Sequence, residues 1–166
     1  KALELPTDAQ SGVDLAALDA ACRAHTVSAC VLASSFHNPL GCTMGEAQKL
    51  QVLALLAKHR VPLIEDDIYG DIGFGTERPR PFAALVPRGQ TIYCSSFSKT
   101  LAPGYRVGWV AADERFMPRL IEAKVASTLC GPVLPQLALA GFLASGGYDH
   151  HLRRMRLVQV GTKETG

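Results

Sequence analysis

The stretch Cys94–Arg106, which reads CSSFSKTLAPGYR, decides the fold. It continues the strand-like run Thr91–Cys94, and it places Lys99 among small hydroxyl residues with an arginine further along. Hydroxyl groups and an arginine guanidinium are good phosphate ligands. The stretch therefore predicts the end of a strand at which a phosphate group is held beside a reactive amine.

Two other short apolar runs precede this stretch. Cys30–Ala33 and Val61–Ile64 have the composition of buried strands. Polar residues follow the three runs at Asn38, Asp66 and Lys99, with intervals of about 30 residues, close to one strand–helix–strand unit. Strands that alternate with helices predict an α/β fold with a mostly parallel sheet and helices on both faces.

Helical periodicity fills the remaining intervals. The first predicted helix is Val13–Ala24 with Asp14 as N-cap, and the second runs from the capping box Thr43–Glu46 to His59. A third helix is capped by Asp113 and includes Phe116, Leu120 and Val125. A fourth covers Pro135–Ala144, and an amphipathic helix starts at Asp149. Arg106–Ala111 follows the preceding strand too closely for a crossover helix, so this strand is expected to run antiparallel to the others or to pair away from its immediate predecessor. Residues 70–90, rich in Gly, Pro and Arg, predict an irregular surface segment.

Polar side chains lie where three predicted parallel strands end. Ligands bind at this edge of open α/β sheets, so these side chains are expected to meet there. A neutral lysine amine forms a Schiff base with an aldehyde, and a carboxylate can keep a pyridine nitrogen protonated. The groups that a phosphorylated pyridine aldehyde requires are all available: Lys99 for the aldehyde, Asp66 for the ring nitrogen, Asn38 and Tyr69 for a phenolate oxygen, and Ser96, Ser98 and Arg106 for the phosphate.

Each of these residues also has an ordinary structural interpretation. Most lysines are solvated, so Lys99 alone would indicate a surface position, and Asn38-Pro39 alone would indicate a turn. Asp66 could cap the next segment, and Arg106 could pair with a surface carboxylate. The cofactor interpretation is favoured because the ordinary explanations would all have to fall at corresponding edges of successive units.

The composition limits the other classes of function. The 166 residues are 48% hydrophobic and 19% charged, with a net charge of +2 that is too small to indicate binding to nucleic acid or a membrane. No apolar run reaches the roughly 20 residues of a membrane helix, so a cytoplasmic protein is expected. The cysteines and histidines show no metal-binding pattern, which predicts reduced thiols and no metal. His150-His151 is interpreted as a solvated helix start.

Three segments resemble the signature of one family. Ser34–Gly41 is similar to its Asn-Pro-x-Gly segment, Asp66–Tyr69 to its Asp-x-x-Tyr segment, and Ser96–Lys99 with Arg106 to its lysine segment, in the same order and spacing. The chain thus resembles the fold-type I pyridoxal-phosphate aminotransferases of class I/II. The resemblance implies that Lys99 is the catalytic residue, which forms the internal aldimine with pyridoxal 5'-phosphate and transfers the substrate proton.

The same resemblance implies the contacts of the cofactor. It pairs Asp66 with the pyridinium nitrogen and gives no role to Asp67. A cis peptide bond at Asn38-Pro39, frequent in the family, is a further hypothesis. The cofactor-binding residues that the resemblance implies are Asn38, Asp66, Tyr69, Ser96, Ser98, Lys99 and Arg106.

A narrower resemblance is carried by Glu65–Asp71, Ser96–Trp109 and Gly146–Arg156, which look like the aminotransferase-like domain of MocR-type regulators of the GntR family. In these bacterial proteins a winged helix-turn-helix precedes this domain. The resemblance implies a homodimer, an amino acid or other amino compound as ligand, and DNA contact only through a domain outside this chain. Stand-alone aromatic and aminoadipate aminotransferases share much of the same sequence, so an enzyme that transfers an amino group between an amino acid and a 2-oxo acid is the alternative.

The resemblance also predicts how the chain divides. Residues 1–148 correspond to the central and C-terminal part of the cofactor-binding large domain, and residues 149–166 to the start of the helix into the small domain. The family's upstream phosphate loop and stacking aromatic ring, and its C-terminal arginine for the substrate carboxylate, have no counterpart here. The chain is therefore expected to be a piece of a longer protein, and a third hypothesis is an inactive fragment that binds no cofactor.

Overall fold

The computed structural model describes residues 1–73, 77–86 and 89–163. Strands and helices alternate in its first half, and three strands and then three helices follow. In order they are β1 (Thr7–Asp8), β2 (Gly12–Val13), α1 (Leu15–Ala24), β3 (Cys30–Leu32), α2 (Glu46–His59), β4 (Leu63–Asp66), β5 (Thr91–Ser96), β6 (Gly108–Ala111), α3 (Met117–Thr128), α4 (Val133–Ala144) and α5 (Gly147–Lys163). Within these ranges, no helix combines the length and hydrophobicity that crossing a membrane requires.

The central sheet has four strands in the order β3-β4-β5-β6. β4 is parallel to both of its neighbours, and β6 is antiparallel to β5. The predicted α/β fold and the predicted antiparallel strand are both confirmed. β4 and β5 run further than predicted, because the backbone ladder continues through polar residues and pairs Asp66 with Cys94.

The hydrophobic core lies between α2 and the sheet. Val52 and Leu56 of α2 and Leu63 of β4 are fully buried, and Leu53 is nearly so. The spacing of these α2 residues places them on one face of the helix, as a core-facing helix requires. A two-stranded antiparallel ribbon, β1 with β2, adds Val13 to the same core.

Two of the predicted helix caps are not formed in the structure. The predicted capping box is wrong: Gly45 is the N-cap of α2 without a side-chain hydrogen bond, and the Thr43 hydroxyl instead accepts from the Phe36 N–H at 3.1 Å. Asp113 does not cap α3, since it accepts from the N–H of Arg115 in the preceding turn. α3 begins only at Met117, where a proline in the first turn is tolerated. The last two helices begin slightly earlier than predicted.

The segment after β4 is irregular, as predicted, and contains short 3-10 turns at Gly70–Ile72 and Phe82–Ala84. Residues 74–76 and 87–88 of the predicted surface segment lie outside the described residues. The segment is not simply a surface excursion, because Phe82 is fully buried. It is therefore anchored to the core.

A buried carboxylate provides much of this anchoring. Glu65 has no exposed surface, and its Oε1 accepts from the Ser34 hydroxyl at 2.8 Å and from the Phe82 N–H at 2.7 Å. Its Oε2 accepts from the Ala83 N–H at 3.0 Å. Burial raises the pKa of Glu65. One side chain of β4 thus joins the loop after β3 to the irregular segment.

We predict that Glu65→Ala lowers the free energy of unfolding by about 3 kcal/mol, because it leaves the buried Ser34 hydroxyl, the buried Phe82 N–H and the part-buried Ala83 N–H without an acceptor. Glu46→Ala is the matched control, since Glu46 forms an exposed ion pair with Arg80. The control should cost less than about 1 kcal/mol. Urea denaturation of the full-length protein measures both, and equal losses would refute the anchoring role.

Candidate functional site

The predicted lysine lies in the connection between β5 and β6, residues 97–107, which we call the lysine loop. The two ends of the loop are joined by a hydrogen bond from the Phe97 N–H to the Val107 carbonyl at 3.1 Å. Gly108 follows the loop, and a Cβ there would lie 2.8 Å from the Ser95 carbonyl oxygen. Glycine at this position therefore allows β6 to pair closely with β5 and to close the loop.

Three of the predicted site residues meet at the edge of the sheet. The Lys99 Nζ lies 5.8 Å from the centroid of the Tyr69 ring, and the Asn38 Nδ2 donates to the Tyr69 hydroxyl oxygen at 3.5 Å. Lys99 is exposed, and it forms no ion pair with any described residue. The peptide bond Asn38-Pro39 is cis, as hypothesised. Tyr69 thus lies near the Lys99 amine through its ring and binds the Asn38 amide through its hydroxyl group.

Asp66 ends β4 beside this group. Side chains alternate along a strand, so the half-buried Asp66 lies on the opposite face from the buried Glu65 and Asp67. Burial raises the pKa of the neighbouring Cys94 thiol, and the Asp66 and Glu65 carboxylates add to that rise. The Asp66 side chain thus lies at the edge where β4 and β5 end.

The proposed phosphate ligands share the lysine loop and the end of β5. The Ser98 N–H donates to the Ser96 hydroxyl oxygen at 3.3 Å. Arg106 is exposed, with a left-handed backbone (φ 53°), and its Nη1 donates to the Pro103 carbonyl at 3.2 Å. Within the described residues no hydrogen bond joins Arg106 to either serine. The structure therefore gathers these residues in one loop without bringing them into contact.

The donor set fits a phosphorylated pyridine aldehyde. An amine lies over a phenol, a carboxylate stands at a neighbouring strand end, and hydroxyl groups and a guanidinium follow within one loop. Each type of group suits one part of such a molecule: the aldehyde, the ring nitrogen, the phenolic oxygen and the phosphate. The ordinary interpretation of each residue as an isolated surface group is less favoured by this grouping.

Sequence reasoning missed a buried ion pair directly beside the site. The Asp67 side chain is fully buried, and its Oδ2 accepts from the Arg78 Nη2 at 2.5 Å and from the Tyr93 hydroxyl at 2.9 Å. Arg78 also donates through Nε to Asp71 at 2.6 Å. Asp67 had no assigned role, and Arg78 was included in the predicted surface segment. No local pattern relates the two, because the pairing depends on how the segment folds back.

This ion pair fixes the turn between Asp66 and Tyr69. The Gly70 Cα packs so closely on the Asp67 carboxylate that a Cβ would clash with it. Burial and the Asp67 charge raise the pKa of Tyr93 to about 12, so the phenol stays a donor at neutral pH. Burial lowers the pKa of Arg78, but Asp71 and Asp67 outweigh it and raise the pKa above its usual value. Arg78 therefore stays charged at neutral pH.

Known proteins of two kinds are similar to this chain. The family model "Aminotransferase class I and II" matches residues 3–157. A helix-turn-helix transcriptional regulator of Escherichia coli K12, YdcR, is 44% identical over 94% of this chain and 33% of its own length. Aromatic-amino-acid aminotransferase 1 of Thermococcus litoralis is 34% identical over 73% of this chain and 29% of its own length.

A solved structure agrees with the sequence matches. The α-aminoadipate aminotransferase LysN of Thermus thermophilus, complexed with N-(5'-phosphopyridoxyl)-L-leucine, has a TM-score of 0.88 and 30% identity. The match covers 94% of this chain and 40% of that one. The chain spans about a third of the length of the curated regulators it matches, 33% for each of two from E. coli.

We predict that Asp67→Asn lowers the free energy of unfolding by about 3 kcal/mol, since it breaks a buried ion pair. Tyr93→Phe removes one hydrogen bond and should cost about 1 kcal/mol. Asp71→Asn is the matched control, because Asp71 is more exposed and leaves the Asp67–Arg78 pair in place. Chemical denaturation decides the question: an Asp67→Asn loss no larger than that of Asp71→Asn contradicts the central role of Asp67.

Proposed function

Since the chain belongs to the aminotransferase class I and II family, we propose that it is the pyridoxal-phosphate-binding, aminotransferase-like domain of a GntR/MocR-type transcriptional regulator. The regulator YdcR supports this over the enzyme alternative, because it matches 94% of the chain at 44% identity, whereas the aromatic aminotransferase matches 73% at 34%. The chain covers about a third of such relatives, so the activity and partners of the whole protein are part of the proposal.

The observation that carries the proposal is the Lys99 amine over the Tyr69 ring at the carboxyl edge of the sheet. Pyridoxal phosphate supplies an aldehyde and an aromatic ring that withdraws electrons. Lys99 would hold the cofactor at its aldehyde group. Lys99 is exposed and has no ion pair among the described residues, so a ligand can reach it.

The neighbouring residues would hold the ring in place. Asp66 would accept the N–H of the protonated ring nitrogen and keep the proton there. Tyr69 would donate its hydroxyl proton to the phenolic oxygen. Because Asn38 donates to the Tyr69 oxygen and does not accept from it, the Tyr69 proton is left for another acceptor. Asn38 thus orients Tyr69 as well as lying near the same oxygen.

Ser96, Ser98 and Arg106 would bind the phosphate. Two hydroxyl groups and a permanently charged guanidinium are strong ligands for this dianion. Arg106 uses one N–H group on the Pro103 carbonyl, and the guanidinium has further N–H groups for phosphate oxygens. The lysine loop would therefore bring the phosphate ligands and the amine to the cofactor as one unit.

The proposal extends to the domains and partners of the whole protein. Residues 1–148 form part of the large domain, and the helix from residue 149 leads into a small domain; residues 164–166 lie outside the described ones. Val133, Leu134 and Leu137 of α4 are between 61% and 80% exposed, and such apolar surface supports burial against further protein, as in a homodimer. An amino compound is the ligand, DNA binds through a separate domain, and the protein is cytoplasmic.

A stand-alone amino acid aminotransferase is the second candidate. The match to the Thermococcus litoralis enzyme and the LysN structure favour it. The two candidates differ in what the full-length protein does. A regulator binds operator DNA in an amino-compound-dependent way and transfers amino groups slowly or not at all, whereas an enzyme converts an amino acid and a 2-oxo acid at each turnover.

We predict that the full-length protein develops visible absorbance with pyridoxal phosphate and that borohydride fixes the cofactor on the peptide containing Lys99. Lys99→Ala should lose both signals, because no amine remains at the edge. Lys58→Ala is the control, since Lys58 is an exposed lysine of α2. Equal spectra for Lys99→Ala and the parent would disprove the role of Lys99, and no visible absorbance in the parent would favour the third hypothesis, a chain without cofactor.

A further inference from the structure

α5 contacts two of the three segments that carry the proposed cofactor residues: the lysine loop and the turn after Tyr69. The His151 Nε2 lies 2.9 Å from the Thr100 carbonyl oxygen in the lysine loop. The Arg156 Nε and Nη2 donate to the Asp71 carbonyl at 3.0 and 2.8 Å. The Tyr148 ring packs edge-on against Phe97 with centroids 5.4 Å apart. One helix thus joins two segments that are far apart in the sequence.

These contacts come from one face of α5. Tyr148, His151, Leu152 and Arg156 recur at helical spacing, and Leu152 is buried. The interpretation of His150-His151 as a solvated helix start holds for His150, which is exposed, and is wrong for His151, which is half-buried. The contacting face is therefore polar at two positions where a purely apolar stripe would be expected.

Both polar contacts hold the main chain. Thr100 directly follows Lys99, and Asp71 lies in the 3-10 turn that follows Tyr69. A carbonyl oxygen only accepts, so the His151 Nε2 carries the proton in this contact. Arg156 places two N–H groups on one carbonyl, and a charged donor makes the stronger kind of hydrogen bond. A shift of α5 would therefore move the backbone next to Lys99 and Tyr69.

We propose that His151 and Arg156 are positioning residues: through them α5 holds the lysine loop and the Gly70–Ile72 turn in fixed relation, and so sets the place of Lys99 relative to Tyr69. Neither residue touches the proposed cofactor position through the contacts described. The consequence for pyridoxal phosphate rests on the proposed function, whereas the effect on the two segments does not.

Hydrogen–deuterium exchange of the full-length protein without added cofactor tests the effect on the segments. The reporter amides are those of Leu101 and Ala102, which donate to the Phe97 carbonyl, and that of Ile72, which donates to the Tyr69 carbonyl. His151→Ala should speed exchange in the lysine loop, and Arg156→Lys in the 3-10 turn, each by about fivefold, the loss of one typical hydrogen bond.

Matched controls lie on the same helix. His150→Ala and Arg154→Lys change exposed residues of the same types and should leave both segments unchanged. His151→Gln keeps a side-chain donor and should restore much of the protection, which also covers the case in which His151→Ala folds poorly. Two results would overturn the proposal. In the first, the controls raise the exchange rate as much as His151→Ala and Arg156→Lys do. In the second, neither His151→Ala nor Arg156→Lys raises it.

A cofactor titration separates this proposal from the proposed function. If both hold, His151→Ala and Arg156→Lys each weaken the Kd of pyridoxal phosphate by about fivefold, and the double variant deviates from the product of the two effects, since both act through one helix. If the variants melt at a lower temperature but bind pyridoxal phosphate with an unchanged Kd, His151 and Arg156 have only a structural role. That result would overturn the proposal that they are positioning residues. If the unmodified protein binds no pyridoxal phosphate, the proposed function is wrong. The hydrogen–deuterium exchange experiment still tests the positioning role of His151 and Arg156.

Discussion

The parallel pairing of β4 with both of its neighbours is the constraint on which the site depends. It makes the connections after β3, β4 and β5 leave the sheet at one edge. Asn38, Tyr69 and Lys99 come from these three connections, and this pairing brings Tyr69 close to both of the others. The antiparallel β6 then returns the chain at once, so the lysine loop is short and closed at its base.

Two buried carboxylates, those of Glu65 and Asp67, stabilise the loops at this edge of the sheet. An unpaired buried carboxylate is costly, yet β4 carries Glu65 and is followed by Asp67, both buried. Each is bound by groups from the irregular segment after β4: backbone N–H groups for Glu65, and Arg78 for the Oδ2 of Asp67. The same alternation along the strand places Asp66 on the other face. Glu65 and Asp67 thus bind the loops on one face of the sheet, and Asp66 is placed on the other face for a ligand.

The sequence predicts the parts of this arrangement that follow from local patterns. Apolar runs and motif spacing were sufficient for the α/β fold, the antiparallel β6 and the common edge of Asn38, Asp66 and Lys99. Contacts between distant segments were not predictable. Arg78, His151 and Arg156 look like surface charges in the sequence, because a carbonyl or carboxylate far along the chain is their partner. The capping box was wrong because the Phe36 N–H donates to the Thr43 hydroxyl within the loop after β3, a contact that the capping pattern does not show.

A crystal structure of the full-length protein grown with pyridoxal phosphate tests the central claim most directly. The account predicts continuous electron density from the Lys99 Nζ to the cofactor, with the ring nitrogen at Asp66, the phenolic oxygen at Tyr69 and the phosphate at Ser96, Ser98 and Arg106. Density for the cofactor away from Lys99, or a ring nitrogen without a carboxylate beside it, would contradict the assignment of this sheet edge as the cofactor site.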